Sequence, residues 1–154
     1  MNLFSSERLS GYITGLAHIG YVVDELASAI AELQRVYGVS DSAVRVVPPF
    51  DIEAPTRFAF VDAAPGVQFE LIQPISEEFK SQLFAHTSGP GGINHLAYWV
   101  RDLDQLLVQL KLDAVLPGYV TPDGPVTTSA YRMVYLDPSH TGGHLIELLE
   151  PLAE

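Results

Sequence analysis

The sequence predicts an α+β fold made of two tandem βαβββ units. Three observations predict it. The chain resembles itself at an offset of 77 residues, and strand-like and helix-like segments follow in the same order in both halves. In addition, 47% of the 154 residues are hydrophobic, which is enough to bury a core. Cysteine is absent, so neither disulfides nor thiolate metal ligands contribute.

The repeat is clearest where residues 15–33 align with residues 92–110. The identical pairs are Gly15/Gly92, His18/His95, Tyr21/Tyr98, Val23/Val100, Leu26/Leu103 and Leu33/Leu110. At the same offset, residues 67–75 align with residues 144–152, which pairs Glu70 with Glu147. Each half therefore contains one histidine and one glutamate at equivalent positions.

In the first unit, residues 16–23 are rich in branched and aromatic side chains, which predicts a strand. A helix is predicted next, with an apolar stripe, Asp24 as its N-cap and Gly38 at its C-terminal end. The stripe consists of Leu26, Ile30, Leu33 and Tyr37. The three further strands of this unit are predicted at residues 43–48, 57–62 and 67–73.

A linker joins the two units. Ser76, Glu77 and Glu78 are predicted to open a short helix, and the turn Gly89-Pro90-Gly91-Gly92 closes it. The second unit is predicted to contain a strand at residues 93–100 and then a helix behind Asp102, with Leu103, Leu106, Leu107 and Leu110 as its stripe. Its other strands are predicted at residues 114–120, 131–136 and 144–150. The predicted domain limits are 1–14 for an N-terminal extension, 15–75 for the first unit, 76–91 for the linker and 92–154 for the second unit.

The candidate functional residues are the paired histidines and glutamates. Glu70 and Glu147 lie within apolar strands, where a carboxylate is costly unless it is paired or bound to a metal. Each follows its histidine by 52 residues. If the two halves are related by a twofold axis, two imidazoles and two carboxylates meet around one point, and this mixed set suits a divalent metal such as Mn, Co, Ni, Fe, Zn or Mg. Gly20, on the same strand face as His18, is expected to leave space for a substrate.

Charge and hydropathy exclude several classes of function. The formal net charge is −11, which is the wrong sign for nucleic-acid binding and disfavours highly anionic ligands unless a local cationic group binds them. We find no signal-peptide pattern and no apolar run of membrane-spanning length. The sequence thus predicts a cytoplasmic protein that contacts neither nucleic acid nor membrane.

The segments GLAHIGYVVDELASAIAEL, FELIQPIS, GGINHLAYWVRDLDQLL and DPSHTGGHLIELLEP resemble the vicinal oxygen chelate superfamily of glyoxalases, bleomycin resistance proteins and dioxygenases. Within it they are most similar to methylmalonyl-CoA epimerase and its glyoxalase-like relatives. The resemblance runs from about Leu16 to Pro151. It implies two βαβββ units forming an open, U-shaped mixed sheet around one divalent ion, with Co, Ni, Mn and Zn as the candidates. The implied ligands are His18, Glu70, His95 and Glu147.

The resemblance also implies a reaction. It predicts an epimerase or isomerase that removes a proton beside a metal-polarised carbonyl, with an acyl thioester as candidate substrate and a homodimer as the expected assembly. Glu147 is the expected base. Glu53 is a second candidate base, because it stands six residues before Ala59 and a catalytic glutamate of the epimerases stands six residues before the alanine of a similar strand. Alternatively, Glu53 is a solvated loop residue. A glyoxalase I-like lyase and a metal-free protein that sequesters a small molecule remain the alternative functions. A ring-cleaving dioxygenase is disfavoured because its iron site uses one carboxylate.

Two further histidines are poor ligand candidates. His140 and His144 are four residues apart, a spacing that suits a metal on a helix, but two glycines between them disfavour a helix. His144 also has the opposite strand parity from Glu147.

Overall fold

The computed structural model describes residues 8–85 and 92–153. Within them the fold is α+β, with two tandem βαβββ units, as the repeat predicts. By spatial contacts the chain divides into two compact units, His18–His95 and a second that combines Met1–Ala17 with Leu96–Glu154. The predicted domain limits stay a prediction. No helix within the described residues combines the length and the apolar character needed to cross a bilayer.

The unit His18–His95 contains the βαβββ elements of the first repeat. Its strands lie in the order β2-β3-β4-β1, with β1 parallel to β4 and the other pairs antiparallel. Helix α2 covers one face, where Leu26 and Ile30 pack against Ala59, Phe69 and their neighbours. The bounds are β1 Ile13–Val22, α2 Leu26–Tyr37, β2 Val44–Val47, β3 Thr56–Ala64, β4 Val67–Pro74 and, after them, α3 Glu77–Phe84.

The other unit repeats this arrangement. Its strands lie in the order β5-β8-β7-β6, and β5 is parallel to β8. Helix α4 packs Leu103, Leu106 and Leu110 against Val134 and Leu148. The bounds are α1 Leu9–Tyr12, β5 Gly92–Val100, α4 Leu103–Leu112, β6 Val126–Thr127, β7 Tyr131–Tyr135 and β8 Ile146–Pro151.

Strand alternation decides which residues remain available for chemistry. On β1, Ile19 and Tyr21 pack against the α2 core, so His18 and Gly20 lie on the opposite face of the strand. On β4, Phe69 and Leu71 pack against the same core, which places Glu70 on the face of His18. The helix-covered face therefore forms the core, and the opposite face contains the candidate ligands.

Most predicted elements are present, with Gly38 in the left-handed conformation at the end of α2 and Asp102 as the N-cap of α4. The prediction of Asp24 as the first N-cap is wrong, because α2 begins at Leu26 and the Glu25 carboxylate accepts from the N–H groups of Ala27 and Ser28. Helix α1 was not predicted. Residues 86–91, which include most of the predicted Gly/Pro turn, lie outside the described residues.

The predicted strand at residues 114–120 is also wrong. Among the described residues, this segment pairs with its sheet through a single bridge, between Pro117 and Leu136. Tyr119 has a φ of 57°, which breaks an extended ladder, and proline has no N–H to donate. Gly118 packs so closely against Asp137 that an added Cβ would lie 2.8 Å from its Cα. The fourth strand of this unit is instead the short β6.

Candidate metal centre

The candidate ligands of the first repeat, His18 and Glu70, lie on one face of the sheet. Gly20 of β1 is in register with Glu70 of β4, Glu70 with Phe60 of β3, and Phe60 with Arg45 of β2. Partners in register point to the same face, so these side chains share the face opposite α2. His18, two residues before Gly20, shares it as well.

Within the unit His18–His95, three of the four predicted ligands come together. The Nε2 atoms of His18 and His95 are 3.1 Å apart. The Glu70 Oε2 lies 2.5 Å from the Nε2 of His18 and 3.7 Å from that of His95. All three residues are buried. Two imidazoles and a carboxylate therefore converge away from bulk water.

These distances fit ligands of one ion. Metal–ligand bonds of about 2.0–2.2 Å at tetrahedral or octahedral angles separate neighbouring ligand atoms by about 2.8–3.6 Å. The distance between the two Nε2 atoms lies within this range, and the two distances to Glu70 lie just below and just above it. The cluster can therefore hold a divalent metal, and its nitrogen and oxygen donors suit Mn, Co, Ni or Zn.

Asn94 fixes the orientation of His95. The Nδ1 of His95 donates to the Oδ1 of Asn94 over 2.8 Å, and both residues are buried. With the proton on Nδ1, the lone pair of a neutral imidazole is on Nε2, the atom that faces His18 and Glu70. Sequence reasoning missed Asn94, because alternation along β5 assigns its side chain to the opposite face from His95.

Gly20 makes room for this histidine. A Cβ built on Gly20 would lie 2.6 Å from the Nε2 of His95 and closer still to two other ring atoms. The space above Gly20 is therefore occupied by the imidazole, and the expectation that it receives substrate is wrong.

Glu70 is ionised across the physiological range. Burial by itself raises the pKa of its carboxyl, but when the two imidazoles are protonated, hydrogen bonds from His18 and His95 and the attraction of their positive charges outweigh burial and lower the pKa to about 2. A negative charge held between two imidazoles is the electrostatic environment that a divalent cation needs.

Glu147 occupies the equivalent position in the second repeat. It lies on β8 in register with Ala97 of β5 and Tyr135 of β7, just as Glu70 is in register with Gly20 and Phe60. Glu147 is 3% exposed. The next residue on the strand, Leu148, faces the helix and belongs to the apolar core. The predicted role of Glu147 as fourth ligand stays a prediction that this repeated register supports.

Glu53 is not part of the cluster of His18, Glu70 and His95. It lies on the exposed loop between β2 and β3 and lines an open cavity of about 580 Å³ with Phe50, Ile52 and Ile75 among the other lining residues. Arg57 holds the loop, because its guanidinium donates to the carbonyls of Pro48 and Ile52. The role of Glu53 as a base stays a prediction.

His140 and His144 are both exposed and belong to no group of metal-ligand side chains within residues 8–85 and 92–153. The Nδ1 of His140 accepts from the backbone N–H of Leu116 over 3.2 Å. It therefore holds the segment after α4, which is a structural role.

The fold and the cluster define a class of protein built from two βαβββ units with a buried His/Glu site that can hold a metal. The chain belongs to the Glyoxalase/Bleomycin resistance protein/Dioxygenase superfamily, the vicinal oxygen chelate proteins, whose sequence profile matches residues 17–124. A comparison with curated proteins found no match.

Solved structures with this fold include several methylmalonyl-CoA epimerases. The enzyme from Mycobacterium tuberculosis is 29% identical, with a TM-score of 0.71 over 92% of this chain and 91% of that chain. A variant of the Streptomyces coelicolor enzyme, in complex with 2-nitronate-propionyl-CoA, is 23% identical, with a TM-score of 0.68 over 92% of this chain and 99% of that chain. A hypothetical protein from Bacillus halodurans is 24% identical, with a TM-score of 0.66 over 90% and 95% of the two chains. The fold is thus epimerase-like.

Proposed function

We propose that this protein is a metal-dependent epimerase or isomerase that moves a proton on the carbon next to the carbonyl of an acyl thioester. The observation that carries the proposal is the buried convergence of His18, Glu70 and His95 at distances that suit one ion. The similarity to methylmalonyl-CoA epimerases supports the choice of reaction within the superfamily. A homodimer in the cytoplasm remains part of this prediction.

His18, Glu70, His95 and Glu147 form the ligand set in this proposal. Asn94 presents the Nε2 of His95 by accepting its Nδ1 proton. A divalent ion, when bound, supplies Lewis-acid stabilisation of the negative charge that develops on a carbonyl oxygen as the neighbouring proton leaves. His18 and Glu70 of the first repeat and His95 of the second would hold that ion.

The carboxylates of Glu147 and Glu53 are the proposed bases. One carboxylate takes the proton from the α-carbon, and the electron pair of the broken C–H bond moves toward the carbonyl oxygen. Return of a proton to the same face gives exchange or isomerisation, and donation from a second acid on the other face gives epimerisation. No oxidant is needed, and the substrate and product have the same atoms.

Exchange of the α-hydrogen with solvent deuterium tests this function. Mass spectrometry on a panel of acyl thioesters and of 2-oxo and 2-hydroxy compounds should show metal-dependent deuterium incorporation without oxygen consumption. Glu53→Gln should retain metal and lower the exchange rate by about 10² to 10⁴, the usual range for a general base. Glu147→Gln should lower both exchange and metal affinity.

The other functions give different results. A dioxygenase would consume oxygen with iron, and a glyoxalase I-like lyase would act on a hemithioacetal. A sequestering protein would bind a ligand without exchange. Tight binding of a panel compound at the metal with neither exchange nor turnover would contradict the proposed reaction while leaving the ligand set intact.

A further inference from the structure

The site face of the unit His18–His95 contains an arginine that the metal cluster does not use. The guanidinium carbon of Arg45 lies 4.5 Å from the centre of the Phe60 ring, and the Phe60 ring centre lies 6.1 Å from that of His18. The guanidinium is therefore within about 11 Å of the His18 imidazole, a distance that a small substrate can span.

Arg45 differs from most of the other cations in its contacts. Arg8, Arg35, Lys80 and Arg132 each form an ion pair with an acidic side chain. Arg45 forms none with any acid in residues 8–85 and 92–153, and it is exposed to solvent. The cation–π contact holds its guanidinium over the Phe60 ring and does not use its N–H donors.

A cation in this position matters because the chain is acidic. With a formal charge of −11, the long-range field repels an anionic substrate, so binding one requires a local positive group. Arginine suits that role, since its planar fork of donors matches a carboxylate or phosphate in a bidentate manner. Arg45, Phe60 and Glu70 are in register on neighbouring strands of one sheet. The same sheet therefore positions the arginine and the metal cluster relative to each other.

We propose that Arg45 binds an anionic group of the substrate, a carboxylate or a phosphate, while the metal cluster binds the carbonyl end. This assignment rests on the proposed function. It makes Arg45 a specificity-determining residue that selects substrates with a negative charge at the end remote from the reacting carbonyl.

The test uses protein loaded with Co²⁺ and metal-chelating hydroxamates as probes. Adipic acid monohydroxamate has a carboxylate at its far end, its amide analogue has none, and a phosphonate analogue of the same length represents a phosphate. Binding is followed by the visible absorption of the cobalt. The wild type should prefer the carboxylate probe over the amide by about tenfold, the scale of one charge-assisted hydrogen bond. A still stronger preference for the phosphonate would identify phosphate as the natural group.

The variants separate the anion site from the metal site. Arg45→Ala should remove the preference for the charged probes without changing affinity for the amide, and Arg45→Lys should restore part of it. Arg35→Ala is the matched control, because Arg35 is an exposed arginine on α2 paired with Glu32. Equal preference in wild type and Arg45→Ala would overturn the assignment.

Failure of the wild type to take up any metal would instead contradict the proposed function. Inorganic phosphate titrated against the guanidinium resonance of Arg45 in the metal-free protein would then decide the anion site.

Discussion

At Gly20 the absence of a side chain creates the space that the His95 imidazole occupies. The same position in the second repeat is Ala97, so the two halves are not interchangeable at this point. Gly20 is in register with Glu70 and therefore stands at the centre of the ligand cluster. A residue without functional groups thus controls whether His95 reaches its place in the candidate metal cluster.

Gly20→Ala should lower metal affinity by at least about tenfold, because the new methyl group would collide with the His95 ring and displace its Nε2. Isothermal titration with Co²⁺ measures the change. Gly15→Ala is the matched control, since Gly15 lies on the same strand with nothing within 4 Å of an added Cβ. Unchanged affinity in Gly20→Ala would show that His95 is not a ligand.

The repeat made the candidate ligands predictable, but not the contacts around them. His18, Glu70, His95 and Glu147 are conspicuous because each pair recurs at one offset. Asn94 has no such signal. Its hydrogen bond to the neighbouring His95 depends on side-chain torsions, which the alternation of strand faces does not encode.

The two long helices are anchored to their sheets in the same way. The N–H of Leu26, first residue of α2, donates to the Gln73 side chain over 3.1 Å, and the N–H of Leu103, first residue of α4, donates to the Glu150 carboxylate over 2.6 Å. Both pairs are related by the repeat offset. These bonds satisfy a backbone donor that the helix itself leaves unpaired.

Glu150→Ala should lower the free energy of unfolding by about 1–3 kcal/mol, because it removes a charged acceptor from a half-buried backbone donor. Glu150→Gln, which keeps an acceptor and matches Gln73, should cost less. Glu77→Ala is the control: its carboxylate pairs with Lys80 at the surface, where ion pairs contribute little. Urea unfolding measures all three. A larger effect of Glu77→Ala than of Glu150→Ala would contradict this account of helix anchoring.

The prediction of helices and strands succeeded where a hydrophobic face determines the structure. It failed where the backbone conformation of particular residues determines the structure. The stripes of α2 and α4 pack as their spacing indicates. The segment 114–120 also contains apolar residues, yet Pro117 and the positive φ of Tyr119 prevent a ladder. Tertiary packing of Gly118 against Asp137, which no local pattern encodes, fixes that segment instead.

For the molecule as a whole, the duplicated sequence predicts the fold because each unit has its own apolar cluster under its own helix. The chemistry is less symmetrical than the fold. Phe60 in the first repeat corresponds to Tyr135 in the second, and Gln73 corresponds to Glu150. The row that contains Arg45, Phe60 and Glu70 belongs to the first repeat. The anion site proposed at Arg45 is therefore expected once per chain.

A metal bound to the native protein but not to the unfolded chain should stabilise the whole molecule. At a free concentration one hundred times its dissociation constant, the ion adds about 2.7 kcal/mol, which for a chain of this size raises the Tm by about 5–10 °C. Differential scanning fluorimetry with and without Co²⁺ measures the shift. His95→Ala should abolish the shift, and His140→Ala, at an exposed histidine outside the cluster, should retain it.

The pH at which this stabilisation disappears distinguishes the imidazoles from the carboxylate as the controlling groups. Because the pKa of Glu70 is lowered to about 2, its charge is fully present above the ordinary range near 4.5 and is lost only as pH falls through 2. The imidazoles of His18 and His95 must be neutral to bind the ion, so two protons compete with one metal as pH falls. Affinity should then fall by up to about a hundredfold per pH unit once both imidazoles take up protons, and the Tm shift should vanish well before the pH reaches the range in which Glu70 loses its charge. A shift that persists to pH 4.5 would mean that His18 and His95 do not hold the metal.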